Sequence, residues 1–103
     1  MIIWGVHVHI GVDRKDRVVP LMHALLAHLP HLLALSASSP LWAGEATGYA
    51  SNRTLMFQQL STAGLPWDFD EWGDVERVLA DLAKTSIIAE PTEARWDIRP
   101  APR

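Results

Sequence analysis

Several residue types and patterns are missing from this chain. Cysteine is absent, which excludes disulfides and thiolate metal sites and favours a cytoplasmic location. No apolar run reaches the length of a signal peptide or a transmembrane helix, so we expect a soluble protein with no membrane partner. The net charge of −3 provides no basic patch, so nucleic acid is not an expected partner either.

The length and apolar content indicate one small domain that meets another chain. With 103 residues, the sequence predicts a single domain, 1–103, near the small end of the usual range. Hydrophobic residues make up 49% of the chain and charged residues 20%, which is more apolar than so small a chain easily buries. We therefore expect some apolar surface to be covered in a homo-oligomer.

The most distinctive stretch, residues 5–11, reads Gly-Val-His-Val-His-Ile-Gly. In a strand, side chains alternate between two faces, so His7 and His9 share one face while the apolar side chains between them face a core. Two residues on one face lie roughly 6 to 7 Å apart. Such a pair can ligate one metal or hold a metal beside a phosphate. The alternative is a strand whose histidines simply face water.

The first half of the chain predicts a strand followed by a bent helical element. The strand covers about 2–12, and either Asp13 or Asp16 could cap the helix that follows. Apolar residues at steps of three and four predict helix over about 14–38, with a kink near Pro30. The histidines on this element are expected to face solvent or an interface, with a metal pair as the alternative.

The second half predicts a long irregular segment, a helix and a short strand. No periodicity persists over 41–69, and a segment of this length in a compact domain tends to be functional or disordered. A helix is predicted over about 71–85, with Asp70 as its N-cap. A strand at 95–99 would place Asp97 and Arg99 on one face.

Four blocks in order resemble one enzyme family. They are the 5–11 stretch, Leu-Ser-Ala-Ser-Ser-Pro-Leu-Trp-Ala-Gly at 35–44, Thr-Gly-Tyr-Ala-Ser-Asn-Arg at 47–53, and Trp-Asp-Ile-Arg-Pro at 96–100. These blocks resemble the carboxylate–amine ligases of the glutamate–cysteine ligase type 2 family. The resemblance implies an α+β fold, a fragment of a glutamine synthetase-like antiparallel sheet on which both helical elements pack.

The resemblance also implies a chemistry. Members of the family use ATP and magnesium to activate a carboxylate as an acyl phosphate, which an amine then attacks. By analogy, His7 would contact magnesium and His9 the nucleotide phosphates. Arg53 and Arg99 would hold the transferred phosphate or the substrate carboxylate, and the pocket would be lined by Tyr49 and Ser51. Expected partners are therefore small molecules, namely amino acids and ATP.

Three departures from the family pattern lead to alternative interpretations. Ala46 stands where the family usually has Asp, with Glu45 beside it as a substitute, and the family's acidic metal-binding strand and its later strands are not in this sequence. Because magnesium prefers carboxylates, we expect the isolated chain to be inactive. The alternatives are a non-catalytic remnant that self-associates as a homodimer, and a domain that binds a transition metal such as zinc through histidines.

Overall fold

The computed structural model describes residues 4–101 and shows a mixed α+β chain, as predicted. Within that range, it contains four α helices and one two-stranded antiparallel sheet. The helices are α1 (Val18–Leu26), α2 (Leu29–Ser36), α3 (Asn52–Phe57) and α4 (Trp72–Lys84), and the strands are β1 (Leu41–Trp42) and β2 (Glu45–Ala46). Two 3-10 turns, Lys15–Arg17 and Pro91–Glu93, complete the list.

The predicted helical element at 14–38 is bent, as expected, and forms α1 and α2. The segments Lys15–Leu26 and Leu29–Ser36 meet at 60°. Pro30 lies in the first turn of α2, where its missing N–H leaves no hydrogen bond unmade, so the break precedes the proline. Among the described residues, no single helix is long and apolar enough to cross a membrane. The bent pair reaches that length and apolar content only when its two helices are taken together.

The predicted helix caps are wrong at both helices. Asp13 and Asp16 pair with arginines at 3.2 and 2.6 Å, and no side-chain cap bond forms at the start of the first helix. The N-cap of α4 is Glu71 rather than Asp70. Asp74 supplies the decisive bonds because one of its carboxylate oxygens accepts the N–H groups of both Asp70 and Glu71 at 3.0 Å.

The core lies between α1, α4 and the chain on either side of α4. Val75 of α4 is fully buried and Leu79 is nearly so, which confirms the predicted apolar face of this helix. The rings of Phe69 and Trp96 pack with their centroids 5.6 Å apart. The other buried members are Val19, Met22, Ile88 and Ala94.

The two predicted strands do not form. Of the strand at 2–12, residues 2 and 3 lie outside the described residues, and residues 4–12 pair with no strand in the described range. At 95–99, Trp96 makes only an isolated parallel bridge with Gly64. A strand needs a neighbour along its length for its backbone groups. Within residues 4–101, the first segment has no such neighbour and the second has only the single bridge to Gly64. The large antiparallel sheet that the resemblance implies is therefore not formed within this range.

The irregular segment contains two elements that the sequence analysis did not predict, the hairpin β1–β2 and helix α3. Leu41 pairs with Ala46, and Trp42 with Glu45. The two turn residues, Ala43 and Gly44, both have positive φ, at 51° and 87°. This backbone twist matches that of the flanking strands, which is why a two-residue turn closes the hairpin.

Candidate functional site

Residues 4–12, here called the histidine segment, present His7 and His9 side by side. Their ring centroids are 6.4 Å apart and the rings are tilted by only 21°, so the predicted shared face is confirmed. Both side chains are exposed. The expectation that the alternate side chains face a core is wrong for the described residues, because Val6 is 94% and Val8 82% exposed.

A network of hydrogen bonds shapes the loop that precedes α3. The Thr47 hydroxyl donates to the carbonyl oxygen of Pro40 at 2.8 Å, and the backbone N–H of Tyr49 donates back to that hydroxyl at 3.2 Å. Ser39 forms an isolated parallel β-bridge with Ser51. The Ser39 hydroxyl accepts a hydrogen bond from the backbone N–H of Arg53 at 2.9 Å. These bonds hold the first turn of α3 and with it the base of the Arg53 side chain.

Arg53 reaches from α3 to the histidine segment. Its Nε–H donates to the carbonyl oxygen of Trp4 at 2.9 Å, and its guanidinium carbon lies 5.3 Å from the centre of the Phe57 ring. A methyl group placed on Gly5 would lie 2.9 Å from Arg53 Nη2 and 3.7 Å from His7 Nε2. The fold therefore brings Arg53 and His7 to the same side of Gly5, although 46 positions separate them in the sequence.

The other predicted site residues are placed differently. Ser51 is half-buried, and its hydroxyl shares a 2.8 Å hydrogen bond with Thr54, while Tyr49 is 57% exposed. Arg99 Nη1 donates to the carbonyl oxygens of Thr92 at 3.2 Å and Ala94 at 2.6 Å. No hydrogen bond in residues 4–101 links Arg99 to the other predicted site residues, so these contacts tie it to the 3-10 turn beside the core.

Asp97 is a charged residue that the predicted list of site residues omits. Partial burial raises the pKa of its carboxyl, and the positive charge of Arg53 opposes that rise. Its backbone N–H donates to the carbonyl oxygen of Gly64 at 2.8 Å, while Trp96 and Ile98 point inward. The sequence held a signal for Asp97, because the predicted alternation at 95–99 turns its side chain away from the core.

The described residues do not form a magnesium site. All five histidines lie within residues 4–101, yet no three histidine, aspartate or glutamate side chains in this range gather closely enough to hold a metal. Glu45, expected to substitute for the missing aspartate, is exposed in β2. Two imidazoles alone are a poor ligand set for a cation that prefers oxygen. By contrast, a guanidinium suits a phosphate or a carboxylate.

Comparison with known proteins relates the sequence to one enzyme family. The sequence model of the family described as glutamate-cysteine ligase family 2 matches residues 1–103. A protein of Leifsonia xyli subsp. xyli named "Putative glutamate--cysteine ligase 2" is 59% identical over 103 residues, which are all of this chain and 27% of that protein. One of Mycolicibacterium vanbaalenii, "Putative glutamate--cysteine ligase 2-1", is 63% identical over 102 residues, which are 99% of this chain and 27% of that protein.

A third relative shows a similar identity and a similar coverage. "Putative glutamate--cysteine ligase 2-2" of Rhodococcus jostii is 61% identical over 103 residues, which are 100% of this chain and 28% of that protein. The chain thus spans little more than a quarter of the relatives that it matches. The family match over the whole of the sequence shows that this chain belongs to glutamate-cysteine ligase family 2.

Proposed function

We propose that this chain is a segment of the catalytic domain of an ATP-dependent carboxylate–amine ligase of the glutamate–cysteine type. In that reaction a substrate carboxylate takes the terminal phosphoryl group of ATP, and ADP leaves. An amine then attacks the acyl phosphate, so that an amide forms and phosphate departs. The family match and the relatives' names support the reaction class. ATP and amino acids would be the small-molecule partners, and a cytoplasmic location suits substrates found there.

The contact between Arg53 and the histidine segment is the observation on which the role of this chain rests. Within residues 4–101, the Arg53 side chain hydrogen-bonds through Nε to the Trp4 carbonyl, and in this range its two terminal nitrogens can donate to an anion. A guanidinium binds phosphate or carboxylate through two parallel hydrogen bonds, and His7 lies on the same side of Gly5. We call Arg53 with His7 and His9 the anion site. In the reaction, it would hold the negative charge of the phosphates or of the substrate carboxylate.

The magnesium of the reaction requires ligands beyond those that residues 4–101 bring together. Carboxylates from the rest of the enzyme would supply them, with His7 as the contact proposed by resemblance. His9 would face the nucleotide phosphates, and Tyr49 and Ser51 would line the pocket. Arg99 would add a second cation through the nitrogens that do not bond to the turn.

Ligase activity tests the proposed roles in a complete relative such as the Rhodococcus jostii protein. Alanine at the positions aligned with His7, His9 and Arg53 should lower ATP-dependent amide formation by about a hundredfold or more, since each removes a group that faces the developing charge. The matched control is alanine at the position aligned with His28, an exposed histidine between α1 and α2. Activity that survives at the first three positions would refute the assigned roles.

The isolated chain is expected to bind nucleotide weakly and to form no amide. A thermal melt with magnesium and ATP, and separately with zinc, measures what affinity remains. Ligand at about a hundred times its dissociation constant adds about 2.7 kcal/mol, which raises the midpoint by roughly ten degrees in a domain of this size. A shift with magnesium and ATP alone supports the anion site, whereas a shift with zinc alone supports the histidine metal site.

Self-association is a second candidate function of the isolated chain, and one observation favours it. The histidine segment has no strand partner in the described range, and its apolar side chains are exposed, Trp4 at 83% and Val6 at 94%. An unpaired segment with alternating apolar side chains is a template for pairing with another chain. We propose that two copies of the isolated chain cover this segment in a homodimer.

A further inference from the structure

Gly5 lies where the Arg53 side chain crosses the histidine segment. The position that a Cβ of residue 5 would occupy is 2.9 Å from Arg53 Nη2, which is closer than carbon and nitrogen atoms approach without a bond. The backbone of Gly5 does not have the left-handed φ seen at Gly44, Gly48 and Gly64. The need for glycine at this position therefore comes from the space that the guanidinium fills and not from the backbone conformation.

Gly11 lies in the same segment and differs in this one respect. In the part of the chain that the structure describes, no heavy atom beyond those of its two chain neighbours comes within 4 Å of the point where its Cβ would be, and its φ is not left-handed either. The same substitution at these two glycines therefore changes the same backbone entropy but meets a guanidinium only at residue 5. Gly11 provides a matched control.

We propose that Gly5 is a positioning residue, which lets the guanidinium of Arg53 lie against the backbone of the histidine segment so that Arg53 and His7 can face one anion. This inference rests on the proposed function for the identity of the anion, a phosphate or a carboxylate. Within residues 4–101, the bond from Arg53 Nε to the Trp4 carbonyl is the only hydrogen bond that joins residues 4–12 to the rest of the chain. The placement of Arg53 therefore also sets where the histidines lie.

The expected response to a side chain at residue 5 follows from what it meets. The obstructing atom is the far end of a long, flexible side chain and not backbone, so the guanidinium moves aside and the core is not disturbed. The core residues around Val75 lie elsewhere in the fold. Gly5→Ala should therefore leave the melting midpoint unchanged while it breaks the bond to Trp4 and separates Arg53 from His7.

Two measurements on the 103-residue chain test the inference. The first is hydrogen exchange of the Arg53 Nε–H by nuclear magnetic resonance, with the signal assigned by its loss in Arg53→Lys. The second is titration with pyrophosphate. Gly5→Ala should lose the slow exchange of this proton and bind pyrophosphate about tenfold more weakly, the effect of one lost charge-assisted hydrogen bond. Gly11→Ala should retain the wild-type exchange and affinity.

The outcomes separate this inference from the proposed function. Slow Nε–H exchange that persists in Gly5→Ala, or pyrophosphate affinity equal to wild type in that variant, would overturn the positioning role. Equal losses in Gly5→Ala and Gly11→Ala would do the same. If the wild-type chain does not bind pyrophosphate but Gly5→Ala still releases the proton, Gly5 positions Arg53 while the proposed anion site fails.

Discussion

The Nε–H of Arg53 donates to the carbonyl oxygen of Trp4 at 2.9 Å, across 49 positions of sequence. This bond joins the first turn of α3 to the histidine segment. Two of the four family-like blocks, at 5–11 and 47–53, thereby become neighbours in space. Their proximity gives the proposed anion site its cation and its imidazoles together.

Arg99 provides a test of whether a predicted site residue serves the scaffold. Arg99→Ala removes two hydrogen bonds to the carbonyl oxygens of Thr92 and Ala94, and we expect a loss of about 1 to 3 kcal/mol in unfolding free energy. Urea unfolding measures this loss. Arg95→Ala is the control, because within residues 4–101 Arg95 hydrogen-bonds through its backbone N–H, which the substitution keeps. Equal stability of the two variants would contradict the scaffold role, and pyrophosphate titration of both shows whether Arg99 also binds an anion.

Leu79 tests the packing of α4 on the core. The side chain is only 7% exposed, so Leu79→Ala should lower the free energy of unfolding by about 2 to 5 kcal/mol through lost burial and the cavity left behind. Leu65 is 65% exposed, and Leu65→Ala should change it by about 0.5 kcal/mol or less. Thermal or urea unfolding of the two variants decides the point, and similar losses at both positions would show that α4 is not packed as described.

Asp74 makes the stability of α4 depend on pH. The backbone N–H of Glu71, the Arg77 guanidinium and the N–H of Asp70 hold the pKa of the Asp74 carboxyl below its ordinary value of 3.8. A carboxyl whose pKa is lower in the folded state adds stability above its unfolded pKa and loses it as pH falls through the folded pKa. Asp74→Asn should therefore melt below wild type near neutral pH, with the gap closing as pH falls below about 3.8.

The control for this prediction is Asp81→Asn, which alters an exposed carboxylate in the last turns of the same helix. Melting midpoints from about pH 6 to about pH 2 test both variants. A gap between wild type and Asp74→Asn that stays constant over this range would show that the hydrogen bonds from the N–H groups of Asp70 and Glu71 to Asp74 contribute without any effect of its charge.

The exposed histidine segment predicts the oligomeric state of the isolated chain. Val6 and Val8 are 94% and 82% exposed, so replacing both with lysine adds like charge to the pairing edge and should turn a homodimer into a monomer. Sedimentation velocity measures the state, with Leu65→Lys as an exposed control elsewhere. A wild-type chain that sediments as a monomer would refute the self-association proposal.

Periodicity in the sequence predicted the helices better than the strands. The bend in 14–38 and the buried face of α4 follow from local spacing, and both are present. The strands at 2–12 and 95–99 were predicted from alternation, which describes side-chain faces but not pairing. Trp96 does point inward and Asp97 outward, so the alternation is real even though the ladder is missing. Helix α3 was missed because a six-residue helix has too few turns to show a period.

What the sequence by itself determined is the family and the local elements whose hydrogen bonds close within a few residues. Composition, the helical period and the four motif blocks are all visible in the sequence without a structure. Only the tertiary structure decided that Arg53 lies against Trp4 and Gly5, and that Arg99 bonds to the turn beside the core. The reason is physical, because contacts between distant residues depend on how the chain turns between them, and hydrogen bonds and packing set those turns together.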